Sequence, residues 1–369
     1  MLALSSEQAV PTAVNSLLLE LDISIPPERN SLVVDHVNYD VKSSAEKHDV
    51  LVIPSPKPGK KGVADLFSVR GPLAVPRAVG QVLGNASPLL SPIISGPSSA
   101  YSYNPIDDNE GMEELFAAGS QLSLATAFQG RNSARFAVVG SAEMLQDAWL
   151  QAEVQLPGGK AQAVANDEFA QKLTAWAFQE LGVVRPGAIT HYLAEGAQAN
   201  TSALSTTPHL DTNPSIYRIN NHVHYSIALS TWNPETNSWA PFTPPPGDSV
   251  QLEVSMLSPF HRLDLTPTST TANATLFTTE FDLPDQHGIF NFLVEYRRPL
   301  LTNVEEKRTV TVRHFAHDEW PRSFVISGAY PWISGITVTV AGWLSFVALW
   351  LYSKPAVAKK DLRARDAKR

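Results

Sequence analysis

The segment that most constrains this chain is the uncharged run from Trp332 to Tyr352, WISGITVTVAGWLSFVALWLY. As a helix rising about 1.5 Å per residue, it would be roughly 31 Å long and match the hydrocarbon core of a bilayer. Tyr330 and Trp332 at its start, with Trp350 and Tyr352 at its end, are aromatic anchors typical of membrane interfaces. A buried core helix is the alternative, but core stretches this long seldom lack every charge. We therefore predict a transmembrane helix over 332–352.

A basic tail, residues 353–369, follows this run. Against Asp361 and Asp366 it carries Lys354, Lys359, Lys360, Arg363, Arg365, Lys368 and Arg369. Because basic flanks stay on the cytosolic side of a membrane, we expect the tail in the cytosol. The long part before the helix is then expected in a lumen or outside the cell, as in a single-pass type I membrane protein.

Charge and cysteine content exclude several classes of function. The net charge is −8 although the tail is basic, so the part before the membrane is more acidic still. A nucleic-acid-binding protein needs a basic face, and this balance argues against one. The chain has no cysteine, which excludes disulfides, cysteine-ligated zinc and a cysteine nucleophile.

The N-terminus and the glycosylation sequons both bear on the predicted topology. The first residues, MLALSSEQAVPTAV, have neither the basic start nor the apolar length of a signal peptide. Since the predicted topology requires translocation, we expect that the true beginning of the protein is missing from this sequence. Possible N-glycosylation sites in the predicted lumenal part are Asn85, Asn200 and Asn273.

Residues 1–185 have the pattern of an α/β domain. Apolar runs predict strands at Ser31–Asp35, Asp49–Ile53, Gln121–Phe128 and Ala134–Val139. The first two runs are apolar on both faces, as in strands of parallel sheets that are covered on both sides. Helices are predicted to end near Leu21 and to cover Ala142–Leu150 and Asn166–Leu181. The last has one apolar face formed by Phe169, Leu173, Trp176, Ala177 and Leu181.

Residues 186–331 change from helical to alternating periodicity, with turns rich in Pro and Gly. Short strands at regular spacing favour an antiparallel β-sandwich. The predicted strands are Ser215–Ile219, His222–Thr231, Ser249–Leu257, Thr275–Leu283, Gly288–Tyr296 and Lys307–His314. Asp318–Pro331 is expected to connect this β-rich domain to the membrane helix.

No constellation in the sequence points to catalysis. Nucleotide-binding and nucleophile-elbow motifs are absent. Asp35 and His36 follow a strand as in metal phosphoesterases, but no second Asp/His cluster completes a two-metal site. The simpler interpretation is a turn stabilised by the side chains of Asp35, Asn38 and Asp40. We therefore predict no catalytic, cofactor-binding or metal-binding residue.

Two histidines on one predicted strand have the spacing of side chains that share a face. His222 and His224 share the polar face of that strand with Ser226, while Val223, Tyr225, Ile227 and Leu229 share the other face. Two nitrogen ligands without a visible third make a zinc site improbable. The histidines are interpreted as polar surface residues.

Small residues form a stripe along the predicted membrane helix. They recur at steps of four, three and three: Gly335, Thr339, Gly342 and Ser345. Small residues let helices approach closely in lipid, which predicts a packing face for a partner helix. The alternative is that such residues are simply common in membrane helices.

Six collinear segments resemble one family, the forty-eight-kilodalton subunit of oligosaccharyltransferase, known in yeast as the wheat-germ-agglutinin-binding-protein type. The segments are Val33–Asp40 (VVDHVNYD), Asn85–Asn104, Arg135–Asp147, Tyr217–Trp232, Asp285–Arg297 and Val310–Tyr330. They extend over nearly the whole chain, so the resemblance is more specific than any single motif. It implies an α/β domain of flavodoxin or glutamine-amidotransferase type, incomplete at its start, followed by β domains.

The resemblance also implies a role. Such a protein would be a non-catalytic, stabilising subunit of the endoplasmic-reticulum complex that transfers an oligosaccharide from dolichyl diphosphate to Asn in Asn-X-Ser/Thr. Its implied partners are ribophorin II, the small defender-against-cell-death subunit, ribophorin I and the multi-spanning catalytic subunit. The chain departs from some family members in lacking a dilysine signal at its C-terminus. Two hypotheses remain beside this one: a membrane-tethered hydrolase using Asp35 and His36, and a single-pass adhesion receptor.

Overall fold

We analysed a computed structural model of the chain. It describes residues 1–28, 30–56, 63–84, 87–105, 115–194, 212–317, 319 and 322–354. The chain forms two compact units, Met1–Arg313 and His314–Arg369, and each is described by itself.

The first part of the larger unit contains twelve strands among its described residues, most of them short. They are β1 (Leu2–Ala3), β2 (Ile23–Ser24), β3 (Leu32–Val34), β4 (Val50–Ile53), β5 (Leu73–Pro76), β6 (Gln81–Leu83), β7 (Leu90–Ser95), β8 (Tyr101–Tyr103), β9 (Leu122–Gln129), β10 (Arg135–Val139), β11 (Glu153–Val154) and β12 (Gln162–Ala163). The α-helices are α1 (Thr12–Glu20), α2 (Asp147–Leu150) and α3 (Asn166–Ala177), with 3-10 turns at Gly119–Gln121 and Glu143–Leu145. The predicted strands and helices of this part are thus present, although their ends differ.

The main sheet of this part is mixed rather than parallel. Its strands lie in the order β1-β10-β9-β6-β2, with β7 also paired to β9, and of these pairs β1 with β10 is parallel while the others are antiparallel. Strand β4 is buried along its whole length, as its apolar run indicated, but it pairs antiparallel with β5. Strand β3 likewise pairs antiparallel with β8. The prediction that these two runs belong to a parallel sheet was therefore wrong. An apolar run indicates that a strand is buried, but it does not indicate the direction of the neighbouring strand.

Two helices differ from their predicted extents, for local reasons. The segment expected as one helix over 142–150 is interrupted at Gln146, whose ψ of 152° is extended, so that a 3-10 turn and the short α2 replace it. Helix α3 ends at Ala177, and Gln179 takes a positive φ of 63°. Its predicted face is confirmed: Phe169, Leu173 and Trp176 are fully buried in the core.

The second part of the larger unit consists of nine strands in its described ranges. They are β13 (Val184–Leu193), β14 (Ile216–Arg218), β15 (His222–Asn233), β16 (Ser238–Pro241), β17 (Val250–Ser255), β18 (Pro259–Thr270), β19 (Thr275–Asp282), β20 (Gly288–Tyr296) and β21 (Val304–Arg313). Their order is β13-β15-β19-β18-β17-β20-β21-β14, with β16 beside β15. Pairing is antiparallel except between β14 and β21.

Strand β18 links the two halves of this strand order, since its first half pairs with β17 and its second half with β19. The alternation predicted for β15 is confirmed, because Val223, Tyr225, Ile227 and Leu229 are fully buried. Sequence reasoning missed β13, β16 and β18. Strands β13 and β18 both contain prolines and shifts of register, at Pro186/Ile189 and Pro267/Ser269, which interrupt the period-two pattern.

A short loop of the β region packs against the first part of the unit. The Trp176 indole nitrogen donates to the Leu300 carbonyl oxygen at 2.9 Å, and the Asn303 amide donates to the Arg131 carbonyl oxygen at 2.9 Å. Arg135 donates to one carbonyl oxygen in the last turn of α3, Trp176 at 2.8 Å, and to two beyond the helix, Leu181 at 2.5 Å and Gly182 at 2.8 Å. The contacts of Leu300 and Asn303 join the two parts within the compact unit 1–313. The predicted domain boundary at residue 185 stays a prediction.

The C-terminal unit contains the helix α4 (Arg322–Tyr352). Its apolar part, Gly328–Tyr352, is long and apolar enough to cross a membrane, as predicted from sequence. The helix starts earlier than the predicted Trp332, so the expected connector Asp318–Pro331 is partly helical. Pro331 lies inside α4 and does not end it. A proline removes one backbone N–H donor, and membrane helices tolerate that loss.

Candidate functional site

The small-residue stripe of α4 is open along the described helix. Gly335, Thr339, Gly342 and Ser345 are all exposed, and a Cβ atom added to either glycine would meet nothing within 4 Å. The hydroxyl of Thr339 donates to the Gly335 carbonyl oxygen at 2.9 Å, and that of Ser345 to the Ala341 carbonyl oxygen at 2.8 Å. Both hydroxyls are therefore hydrogen-bonded within the helix, and the stripe carries only small side chains. Its use as a packing face stays a prediction.

Asp35 has the turn-forming role that the sequence indicated. Its carboxylate accepts hydrogen bonds from the Val37 amide at 2.8 Å, the Asn38 side chain at 2.9 Å and the Ser99 hydroxyl at 2.9 Å. Burial favours the neutral acid, but these hydrogen bonds outweigh it and hold the pKa of Asp35 below its usual value. Asp40 acts similarly on the Ser43 amide, at 3.0 Å. The turn prediction is confirmed.

His36 belongs to a ring cluster that sequence reasoning did not find. Its Nδ1 contacts Nδ1 of His48, and its Nε2 lies 2.9 Å from the Tyr101 hydroxyl. The ring of Tyr39 lies 4.0 Å from that of His48, centroid to centroid. His48 was missed because it precedes a different strand, and only the folded chain brings its carbonyl oxygen to the Asp35 amide at 3.2 Å.

His222 and His224 face carboxylates on the neighbouring strand β19. His222 Nδ1 lies 2.6 Å from Asp282, and His224 Nδ1 lies 3.2 Å from Glu280. The hydrogen bond with Asp282 raises the pKa of His222, while that with His224 lowers the pKa of Glu280. The i, i+2 spacing of Glu280 and Asp282 was a signal that could have been matched to the two histidines. This array is a polar cross-strand surface.

Across the described ranges, no group of three or more His, Asp or Glu side chains is placed to hold a metal ion. The sequon residue Asn273 is exposed between β18 and β19, in a turn closed by the Thr271 amide and the Ala274 carbonyl oxygen at 2.8 Å. Asn85 and Asn200 lie outside the described residues, as do the basic residues of the tail beyond Lys354. Occupancy of the sequons stays a prediction.

A cavity of about 350 Å³ lies where the loop after β20 meets the first part of the unit, and Arg131, Arg297 and Arg298 line it. Arg298 forms a two-pronged ion pair with Asp248, at 2.7 and 2.6 Å. Arg297 pairs with Glu305 at 2.6 Å. Carboxylates therefore neutralise both arginines, and these ion pairs stabilise the loop after β20.

Comparison with known families accounts for almost the whole chain. Residues 1–180 match the model described as "OST48, N-terminal domain", and residues 202–354 match the "OST48 middle domain". The chain belongs to the OST48 family. Two segments that carried the resemblance, Val33–Asp40 and Asn85–Asn104, meet through Asp35, Ser99, His36 and Tyr101.

Individual relatives agree with this assignment. The chain is 32% identical over 349 residues to the dolichyl-diphosphooligosaccharide–protein glycosyltransferase subunit wbp1 of Schizosaccharomyces pombe, covering 94% of this chain and 73% of that protein. It is 29% identical to the WBP1 subunit of Saccharomyces cerevisiae, covering 97% and 73%. It is 27% identical to the 48 kDa subunit of Arabidopsis thaliana, covering 96% and 75%.

Proposed function

We propose that this chain is a structural, non-catalytic subunit of an oligosaccharyltransferase that N-glycosylates proteins from a dolichyl-diphosphate-linked oligosaccharide. The observation that carries the proposal is family membership along the chain, since the relatives are named as subunits of that glycosyltransferase. The membrane-length helix α4 agrees with a subunit of a membrane complex. Under this proposal the chain resides in the endoplasmic-reticulum membrane, with its larger unit in the lumen.

The non-catalytic role is supported by how Asp35 and His36 are used. A hydrolytic carboxylate or imidazole must be free to contact a substrate or a metal ion. Asp35 instead accepts three hydrogen bonds that close its turn, and His36 contacts His48 and Tyr101. The flavodoxin or glutamine-amidotransferase descent of the first part, and its boundary at residue 185, belong to the same proposal.

We infer that the chain acts by docking on the other subunits: ribophorin II, the defender-against-cell-death small subunit, ribophorin I and the multi-spanning catalytic subunit. In lipid, helices associate through close packing because there is no hydrophobic force between them. The stripe Gly335, Thr339, Gly342 and Ser345 supplies the small surface that such packing needs. N-glycans on Asn85, Asn200 and Asn273 are part of the proposal, and glycosidase treatment of the purified chain tests them.

A matched pair of substitutions tests the docking role. Thr339→Leu adds bulk on the stripe, whereas Thr337→Leu makes the same change about 160° away around the helix. Both hydroxyls donate to the carbonyl oxygen four residues earlier, at 2.9 and 2.8 Å, so the lost hydrogen bonds are equivalent. We expect Thr339→Leu to lower recovery of the other subunits in mild detergent about tenfold, which corresponds to about 1.4 kcal/mol of association.

The outcomes separate the two levels of the proposal. If the tagged wild-type chain recovers no other oligosaccharyltransferase subunit, the function itself is wrong. If the subunits are recovered equally with both variants, the function stands and the stripe is not the packing face. Hydrolytic turnover by the purified full chain, lost in Asp35→Asn, would favour the hydrolase instead.

A further inference from the structure

One end of the β region carries four exposed apolar side chains. Leu257 is 98% exposed, Ile289 61%, Ile216 58% and Phe260 36%. We refer to these four residues as the apolar tip. Apolar residues scattered singly over a surface need no explanation, whereas a cluster marks a contact with a protein or a membrane.

The strand register places three of the four residues together. Ile216 and Ile289 both pair with Thr311 of β21, one from each side, so the three lie in a row on the outer face of the sheet. Leu257 lies in the turn between β17 and β18, two residues beyond Ser255, which pairs with Asn291. That turn therefore lies beside Ile289.

Two further contacts fix the turn against the start of β20. A Cβ atom on Gly288 would lie 2.5 Å from the Met256 sulfur, so the glycine permits this close approach. The ring centroids of Phe260 and Phe290 are 5.4 Å apart. The apolar tip is thus built on a packed sheet end, and the exposure of Leu257 does not result from a chain end.

The chain leaves the β region at this same end. Val312 pairs with Gly288 at the start of β20, and β21 ends one residue later at Arg313. Residues 314–327 then lead to the apolar span that begins at Gly328. Because α4 already begins at Arg322, this stretch reaches at most about 40 Å even when the rest of it is fully extended. This tether, residues 314–327, continues from the same end of the sheet that carries the apolar tip.

We propose that the apolar tip inserts into the interfacial layer of the bilayer that α4 spans, as a second membrane contact beside the helix. Leucine, isoleucine and phenylalanine side chains on an amphipathic surface settle about 5–10 Å into the boundary between headgroups and acyl chains. The tether favours a lipid surface as the occupant over a partner protein, because it supplies the bilayer at high local concentration whether or not the other subunits are bound. This inference does not depend on the proposed enzyme complex.

The absence of cysteine makes the test direct. The full chain carrying Leu257→Cys is labelled with an environment-sensitive fluorophore and reconstituted into phosphatidylcholine vesicles that contain a nitroxide lipid. We expect the label to lose most of its emission to a shallow nitroxide and less to one near the bilayer centre. A Thr236→Cys label, in the exposed turn after β15, is expected to keep its emission.

A second comparison separates insertion from chance proximity. Ile289→Ser, added to the labelled chain, removes a neighbouring apolar contact and should reduce quenching at position 257. Phe178→Ser removes an apolar side chain that is at least as exposed, just after the end of α3, and should leave the quenching unchanged. Equal quenching at 257 and 236 would overturn the proposal. So would a label at 257 that is unquenched by lipid but becomes shielded when the other subunits are added, since the occupant would then be a protein.

Discussion

Arg135 connects the end of α3 to the sheet, and its replacement is the most informative test of the larger unit. Its guanidinium donates to the carbonyl oxygens of Trp176, Leu181 and Gly182, and it lies 5.1 Å from the centre of the Trp176 ring. These carbonyls belong to the last turn of a helix and the residues beyond it, where backbone oxygens lack intrahelical partners. Arg135→Met would remove the charged donor from all three oxygens, of which those of Trp176 and Gly182 keep backbone donors at Gln179 and Thr302, at 3.1 and 3.0 Å.

The magnitude follows from opposing contributions. Hydrogen bonds from a charged donor contribute about 1.5–3 kcal/mol each in favourable cases, and neutral ones about 1 kcal/mol. Burial disfavours the guanidinium ion, lowers the pKa of Arg135 to about 10 and offsets part of that gain. Counting about 1 kcal/mol for each of the three bonds, we expect Arg135→Met to lower the free energy of unfolding by about 3 kcal/mol.

The assay is denaturant unfolding of the detergent-solubilised full chain, followed by tryptophan fluorescence, because the fully buried Trp176 reports on the site. Arg77→Met is the matched control. Arg77 pairs with Glu143 at 2.7 Å but is substantially exposed, so the same substitution should cost at most about 1 kcal/mol. Equal losses in the two variants, or a loss below about 1 kcal/mol for Arg135→Met, would refute the reasoning.

Two further predictions concern pH and backbone conformation. Burial, with a smaller contribution from Arg308, lowers the pKa of His191 to about 4. Since the unfolded imidazole titrates near 6.5, stability should fall by about 3 kcal/mol as the pH drops from 6.5 to 4, and melting of His191→Asn should lack this dependence. Gly182→Ala should destabilise by about 3 kcal/mol, because φ is 70° and the new Cβ would lie 2.6 Å from the Leu300 carbonyl oxygen. Gly158→Ala, with φ of 73° and open space around it, should cost about 1 kcal/mol in the same melts, and equal costs would contradict the clash.

Local patterns in the sequence predicted the elements whose burial repeats at a regular period. The face of α3 at Phe169, Leu173 and Trp176 and the inward residues of β15 were confirmed because each period reports only which side of one element is buried. The length and lack of charge of Trp332–Tyr352 likewise sufficed for a membrane-length helix, since bilayer thickness sets that requirement. Six resembling segments were enough to indicate the family.

Only the tertiary structure decided which elements and side chains meet. Strand direction is set by long-range pairing, so the apolar runs of β3 and β4 could not reveal their antiparallel partners. The hydrogen bonds from Arg135 to the Trp176 and Gly182 carbonyl oxygens likewise come from a distant strand. The contact of His36 with His48 and Tyr101 and the grouping of Leu257 with Ile289 likewise arise from strand register. A local sequence pattern indicates which side of an element is buried, whereas the pairing of strands depends on residues that lie far apart in the chain.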